Sequence, residues 1–335
     1  MRQEYFGKTK DNKEVTKFIL GDESGIEVHI INYGATIQKL IVPDHDGKRI
    51  DIVLGFDILR QYEGDHPFFC CFVGRNANRI GKGQIKISGK TIQLSTNEGK
   101  NQLHSGYHGL NDKVLDYEID GEKLTLKVTS PDGEEGFPGK VEVATTFQIV
   151  DNSLVMDYTA TTDKTTVVNL TRHEYFNLAQ GESSNILNHK VSIDADHYLP
   201  KDNAGLPTGE IATVEGTPFD VRKLITVGDS AKQIEGGYDH NFVLNERSED
   251  TPAAVVISPK GNLKMEVFCT QPGIQFFSAQ PIGGYEGKYG NIEKPSPGLC
   301  LEPQHFPDTP NHDNFPSTIL EPSERYHHKL IYKFS

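Results

Sequence analysis

Hydrophobic residues in this chain recur with a period of two, from near residue 15 to the C-terminus. Ile26, Val28 and Ile30 alternate with polar neighbours, as do Leu124, Leu126 and Val128. Val141, Val143, Phe147 and Ile149 continue the pattern, followed by Leu154, Met156, Tyr158 and Ala160, and later by Leu263, Met265, Val267 and Cys269. Successive side chains of a strand point to opposite faces, so each run buries one face and turns the other toward water or a second layer. Turn signals part these runs at hairpin spacing: Asp46-Gly47, Asp120-Gly121, Asp132-Gly133 and Lys260-Gly261-Asn262.

Helical periodicity is poor, and only Asp220 to Ile234 could hold one or two short helices. The 32 glycines and 18 prolines exceed ordinary usage and favour turns over long helices. No repeat, linker or low-complexity tract interrupts the alternation. The chain therefore reads as one all-β domain spanning residues 1–335. Its many antiparallel strands must close on themselves or pack face to face, and a large antiparallel β-sandwich with a few short helices is the expected solution.

The formal net charge is −13, from 34 basic and 47 acidic residues. No basic stripe of the kind nucleic acid requires is present; the densest basic stretch holds only Lys82, Lys86 and Lys90. No window reaches 18 consecutive apolar residues, and the N-terminal stretch lacks the apolar centre of a signal peptide. The four cysteines, Cys70, Cys71, Cys269 and Cys300, match neither a zinc spacing nor a disulfide framework. They read as buried thiols in a reducing, cytoplasmic compartment. Among the 13 histidines no ligand spacing stands out, so neither metal nor cofactor is expected.

Six stretches abandon the alternation and become dense in polar and small residues: Gly74 to Gly81, Asn101 to Gly106, Leu170 to Leu178, Gly236 to Phe242, Thr270 to Phe277 and Cys300 to Asp308. They supply Arg, Asn, Gln, His, Asp, Glu and aromatic side chains. Planar amides and guanidinium groups bond sugar hydroxyls in pairs, and aromatic faces cover sugar C–H patches. Singly, each candidate also has a plain structural reading. Arg79 could be an ion-pair partner, His104 a turn residue and His173 a satisfied core histidine. Asp239 could make an Asx turn after Gly-Gly-Tyr. Glu302 follows an apolar run and precedes a proline, an unusual place for a surface carboxylate.

In order and spacing, the six stretches together resemble the aldose 1-epimerases, also called galactose mutarotases. The shared pattern is GRxANRI, NxLHxG, LTxHxYFNL, GYDHNF, TxQPGxQF and LExQxxPD. The resemblance implies a galactose mutarotase-like supersandwich that interconverts the α and β anomers of free aldohexoses, of the galactose or glucose type. It implies Glu302 as general base, His173 as general acid and His104 as an aid at the ring oxygen. It places Asn78, Arg79, Asp239 and Gln275 on sugar hydroxyls. The family often has Asn and Ser on either side of the acid histidine, where this chain carries Arg172 and Glu174. Flanking charges there are expected to alter the histidine's pKa or narrow the choice of sugar. With no Trp in the chain, aromatic cover falls to Phe or Tyr.

The chemistry needs one group to take the anomeric proton and another to supply one to the ring oxygen. A carboxylate with pKa of about 4.3 and an imidazole near about 6.5 start suitably charged at neutrality, with Glu302 as the anion and His173 as the imidazolium. The substrate partner is a monosaccharide, with no nucleic acid or membrane, and the protein is expected as a monomer or homodimer. The alternatives are a hexose-phosphate epimerase, a glycosidase pairing Asp239 with Glu302, and a non-catalytic sugar-binding protein of the same fold.

Overall fold

The computed structural model describes residues 1–335. Antiparallel strands dominate it, and its two α-helices are single turns, Leu59–Tyr62 and Val227–Ala231. The second falls inside the segment expected to be helical. Nothing in the periodicity marks the first.

Three sheets organise the chain. The N-terminal sheet is a meander in sequence order: Arg2–Lys8, Glu14–Gly21, Glu27–Ile31, Thr36–Pro43 and Arg49–Asp51. The largest has nine strands. At one edge Asp116–Asp120, Lys123–Ser130, Val141–Val150 and Ser153–Thr162 form a meander, and Tyr326–Phe334 pairs beside its last strand. The C-terminal strand thus joins the middle of this sheet to strands 264–269, 254–257, 190–193 and 225–226. The third sheet, which carries the site, runs Ala212–Thr213, His197–Tyr198, Asp239–Val243, Gly273–Phe277 and Cys300–Gln304.

The alternating residues behave as their period requires. Leu154, Met156, Tyr158 and Ala160 are buried on one strand, and Val141, Val143 and Phe147 on its neighbour. The hairpin at Asp120-Gly121 pairs Asp120 with Lys123, and Gly121 takes a positive φ of 58° that glycine adopts without a Cβ clash. One core of 55 buried residues draws on all three sheets, from Phe18 and Ile30 through Phe147 and Met156 to Phe276 and Leu301. Strand Glu27–Ile31 departs from one-face burial, because both of its faces are covered. Its Glu27 and His29 lie buried, joined at 2.8 Å.

Candidate active site

Glu302 lies on the edge strand of the third sheet. Pro303 is tolerated there because an edge strand need not donate from every residue. The register Asn241↔Gln275↔Glu302 sets these three side chains in one row. Their strand neighbours Phe242, Ile274, Phe276 and Leu301 point the other way, into the core. Alternation thus gives this sheet one apolar and one polar face, and the polar face is the floor of the site.

His173 follows the short strand Thr171–Arg172, which pairs with Phe72–Val73. Its backbone is held on both sides, N–H to Cys71 O at 3.1 Å and carbonyl to the Cys70 N–H at 3.0 Å. The imidazole is stacked against Tyr175 at 5.0 Å between ring centroids and against Phe68 at 6.0 Å, with His104 edge-on at 5.3 Å. This fixes the ring plane and brings Nε2 to 3.7 Å from Glu302 Oε1. Phe68 also packs on His104, at 4.6 Å.

His104 and Asn78 both adopt left-handed backbone conformations, with φ of 48° and 59°. The His104 N–H donates to Asn78 O at 3.0 Å, and the Asn78 N–H donates to His104 Nδ1 at 3.2 Å. The Asn78 Oδ1 accepts from the Arg79 N–H at 2.8 Å. The Arg79 guanidinium makes a bidentate pair with Glu98, at 2.7 and 2.8 Å, and approaches Asp239 at 4.0 Å. Asp239 accepts from Gln275 Nε2 and from Lys201 Nζ, each at 2.7 Å. A cleft of about 1030 Å³ opens over Arg79, Asp239, Lys201, Glu98 and Asn101. Glu302, His173 and His104 are buried and do not line it.

The structure therefore brings together all seven residues singled out from the sequence. Glu302, His173 and His104 cluster together, while Asn78, Arg79, Asp239 and Gln275 form a connected polar wall of which Asn78 and Gln275 are equally buried. The other arginine of the first motif, Arg75, is purely architectural: its guanidinium is buried and bonds Ser130, Pro138 O and Gly139 O. Lys201, Glu98 and Phe68 were not foreseen. Lys201 meets Asp239 across 38 residues and lies outside every motif. Phe68 lies six residues before the first polar stretch, in an apolar run that masked it.

Two expectations are corrected. Arg172 and Glu174 do not flank the His173 ring. As alternate residues of an extended segment they project to the opposite side, into the core, fully buried. Arg172 Nε pairs with Glu174 Oε1 at 2.5 Å and the guanidinium also bonds Ala35 O and Cys70 O. Glu174 accepts from Tyr332 OH at 2.8 Å.

The second correction concerns charge. Burial pushes the Glu302 carboxyl well above its ordinary range, aided by Asp239 and Glu174 and opposed by Arg79. Burial pushes His173 down to about 4. Both shifts favour the uncharged forms, carboxylic acid and neutral imidazole, over the ion pair expected from solution values, because both ions lose hydration. Either distribution holds one proton between the two groups. Burial, then His173 and Arg79, hold His104 neutral as well. Burial alone would raise Asp239, but Lys201, Arg79 and Gln275 outweigh it and keep the carboxylate below its usual range.

Glu302, His173 and His104 offer ligand-type atoms within 4.8 Å of one another, a convergence that sequence spacing did not show. The donor chemistry nevertheless disfavours a metal. His104 Nδ1 accepts from the Asn78 N–H, so the proton of the neutral ring sits on Nε2. That edge presents a hydrogen, not a lone pair.

The family model for aldose 1-epimerase matches residues 16–333. The chain belongs to the aldose 1-epimerase family. A galactose mutarotase of Mus musculus is 42% identical over 323 residues, 96% of this chain and 94% of that one. An aldose 1-epimerase of Escherichia coli is 34% identical over 334 residues, covering 97% and 96%. Among solved structures, an aldose epimerase homologue from C. elegans superposes with a TM-score of 0.90 at 29% identity, covering 95% of this chain and 98% of its own. A galactose 1-epimerase from Lactobacillus acidophilus gives 0.85 at 28% identity, covering 100% and 98%. Both solved structures share this chain's fold, and in this aldose 1-epimerase family member three motifs supply strands of the third sheet while the other three lie in short strand pairs of their own.

Proposed function

We propose that this protein interconverts the α and β anomers of a free aldohexose, of the galactose or glucose type, by ring opening and reclosure. The observation that carries this reading is the buried Glu302–His173 pair at 3.7 Å, with the His104 ring 5.3 Å from that of His173. Anomer exchange moves one proton from the anomeric hydroxyl and one to the ring oxygen, with no net change. A pair holding one proton suits that inventory. In the ring-opening arrangement Glu302 takes the O1 proton and His173 delivers a proton to O5, while the C1–O5 bond breaks to the aldehyde. His104 Nε2–H donates to O5 as charge develops there. After rotation about C1–C2 the steps reverse. Each positioned proton transfer is worth about 10² to 10⁴-fold.

Arg79, Asn78, Asp239 and Gln275 hold the remaining hydroxyls still while C1 turns. Phe68 supplies the aromatic cover that Trp does not. Lys201 and Arg79 are each held by carboxylates, which disfavours them as phosphate ligands for the hexose-phosphate alternative, and the cleft's other cations, Lys82 and Lys100, lie along its rim with no carboxylate partner. We place the enzyme in the cytoplasm as a single 1–335 domain, a monomer or homodimer needing no cofactor. Four unpaired cysteines and a core drawn from both ends of the chain support this. No helix is long and apolar enough to cross a membrane.

Polarimetry on freshly dissolved α-aldoses tests the function. Accelerated mutarotation of galactose or glucose is expected. A panel of free aldoses relaxing only at the uncatalysed rate overturns it.

A further inference from the structure

The polar face of the third sheet continues past Glu302. The next row in register is Val243↔Gly273↔Gln304, so Gln304 sits two residues along from Glu302 on the same face. Asn241 stands in the Glu302 row. A Cβ on Gly273 would lie 2.8 Å from Asn241 Oδ1, so the Asn241 amide leans across Gly273 into the row of Gln304.

These residues are buried, Gln304 completely and Asn241 to 2% exposure. Both atoms of each amide lack a hydrogen-bond partner, as does the inner carboxyl oxygen, Glu302 Oε2. Buried amides are almost always paired, and an unpaired one costs free energy. Two unpaired amides and one unpaired carboxyl oxygen, in adjacent rows on one face of one sheet that also holds the unpaired Gln275 Oε1, require a reason. N–H donors at that oxygen stabilise an ionised carboxyl more than a neutral one, because hydrogen bonds to a charged acceptor are the stronger.

We propose that Asn241 and Gln304 are positioning residues for the reaction, whose amide N–H groups turn onto Glu302 Oε2 as the carboxyl ionises. In that step the O–H bond at Glu302 Oε1 breaks and an N–H bond forms at His173 Nε2, so the proton stays within the pair. The amides stabilise the carboxylate without touching the sugar. The proposal rests on Glu302 as the catalytic carboxyl. The other ionisable groups acting on Glu302 are His173, Arg79, Asp239 and, from the core side, Glu174.

The test is Gln304→Met and Asn241→Leu, near-isosteric changes that remove the amides, with Glu302→Gln alongside. Replacing an unpaired buried amide by an apolar group should leave the melting temperature unchanged or raised. Yet kcat should fall roughly tenfold or more, the worth of one hydrogen bond to a charged group, with KM within about threefold. Without the donors Glu302 keeps its proton to higher pH, so the alkaline limb of the rate profile should move up by about one unit. A folded variant with wild-type kcat and an unmoved limb overturns the proposal. Failure of both variants to fold also overturns it, by making the amides structural. Should Glu302→Gln remain active, the reading of the site itself fails. If Glu302→Gln is inactive and the amide variants are normal, only this inference fails.

Discussion

Asn78 and His104 hold each other through two backbone-directed hydrogen bonds, one from each residue's N–H. Because the Asn78 N–H points at His104 Nδ1, the neutral imidazole must carry its proton on Nε2. The ring is a fixed donor rather than a base. His104→Gln, which keeps an N–H donor, should therefore retain more activity than His104→Ala. The alanine variant should lose about 10² to 10³-fold in kcat, as for loss of one donor to a developing oxyanion. Polarimetric rates decide it, and equal rates for the two variants would remove the donor role.

Glu302→Gln should bind sugar and exchange anomers at least about 10²-fold more slowly, since an amide cannot take the O1 proton. A rate within about threefold of the parent, far less than a positioned proton transfer is worth, would sink the assignment. His173→Asn should be comparably slow with little change in melting temperature. If instead it melts far lower while its folded fraction turns over normally, His173 is a core residue.

The pH dependence follows from the shared proton. Activity requires one proton on the Glu302–His173 pair and is lost when a second binds or the first leaves. The acid limb of kcat/KM should fall near about 4, where buried His173 titrates, and not near the ordinary 6.5. The alkaline limb belongs to Glu302, above its ordinary 4.5. An alkaline limb at the solution value of imidazole would instead show that the pair's proton rests on a hydrated His173, with the charges expected from the sequence.

Folding stability should also decline with acid. His173, His189, His240 and His305 each titrate near about 4 when folded, against 6.5 as free imidazoles. Between those values the unfolded chain binds protons that the folded chain refuses. Stability is therefore lost as pH falls from 6.5 toward 4, by up to about 1.4 kcal/mol per histidine per pH unit. Glu302 and the other carboxyls with raised pKa, Asp112, Glu174, Glu293 and Asp308, act with the opposite sign and lose stability as pH rises, while His29, His66, His104 and His328 add to the acid loss. A melting temperature that stays flat from pH 7 to 4.5 would contradict the burial of these rings.

Arg172→Asn alone should destabilise the fold by about 3 to 5 kcal/mol, because it leaves Glu174 buried without its partner. Adding Glu174→Ser should recover much of that loss. In the folded fraction the acid limb should stay in place, since both side chains face the core. A limb displaced in the Arg172→Asn, Glu174→Ser double variant would restore the role in tuning His173.

Dialysis against a strong chelator should leave the rate unchanged, because the neutral His104 ring carries its proton on Nε2 and engages Nδ1 with the Asn78 N–H, leaving no free lone pair for a metal. Activity lost on chelation and recovered with one divalent ion would overturn this.

Period-two alternation and turn chemistry are local properties, so strands such as Ser153–Thr162 and hairpins such as that at Gly121 were legible residue by residue. The seven candidate residues stood out because each sits where a polar motif breaks that alternation. Other features arise only between segments distant in the chain. Lys201 reaches Asp239 from outside every motif, and Tyr326–Phe334 returns to the middle of the largest sheet. The direction in which Arg172 and Glu174 point depended on which side of their segment the core formed. The charges of Glu302 and His173 depended on loss of water, and the tautomer of His104 on one backbone N–H. Protonation responds to three-dimensional burial and neighbours, neither of which a residue's identity contains. The sequence determined which groups would meet, and the tertiary structure decided where their protons rest.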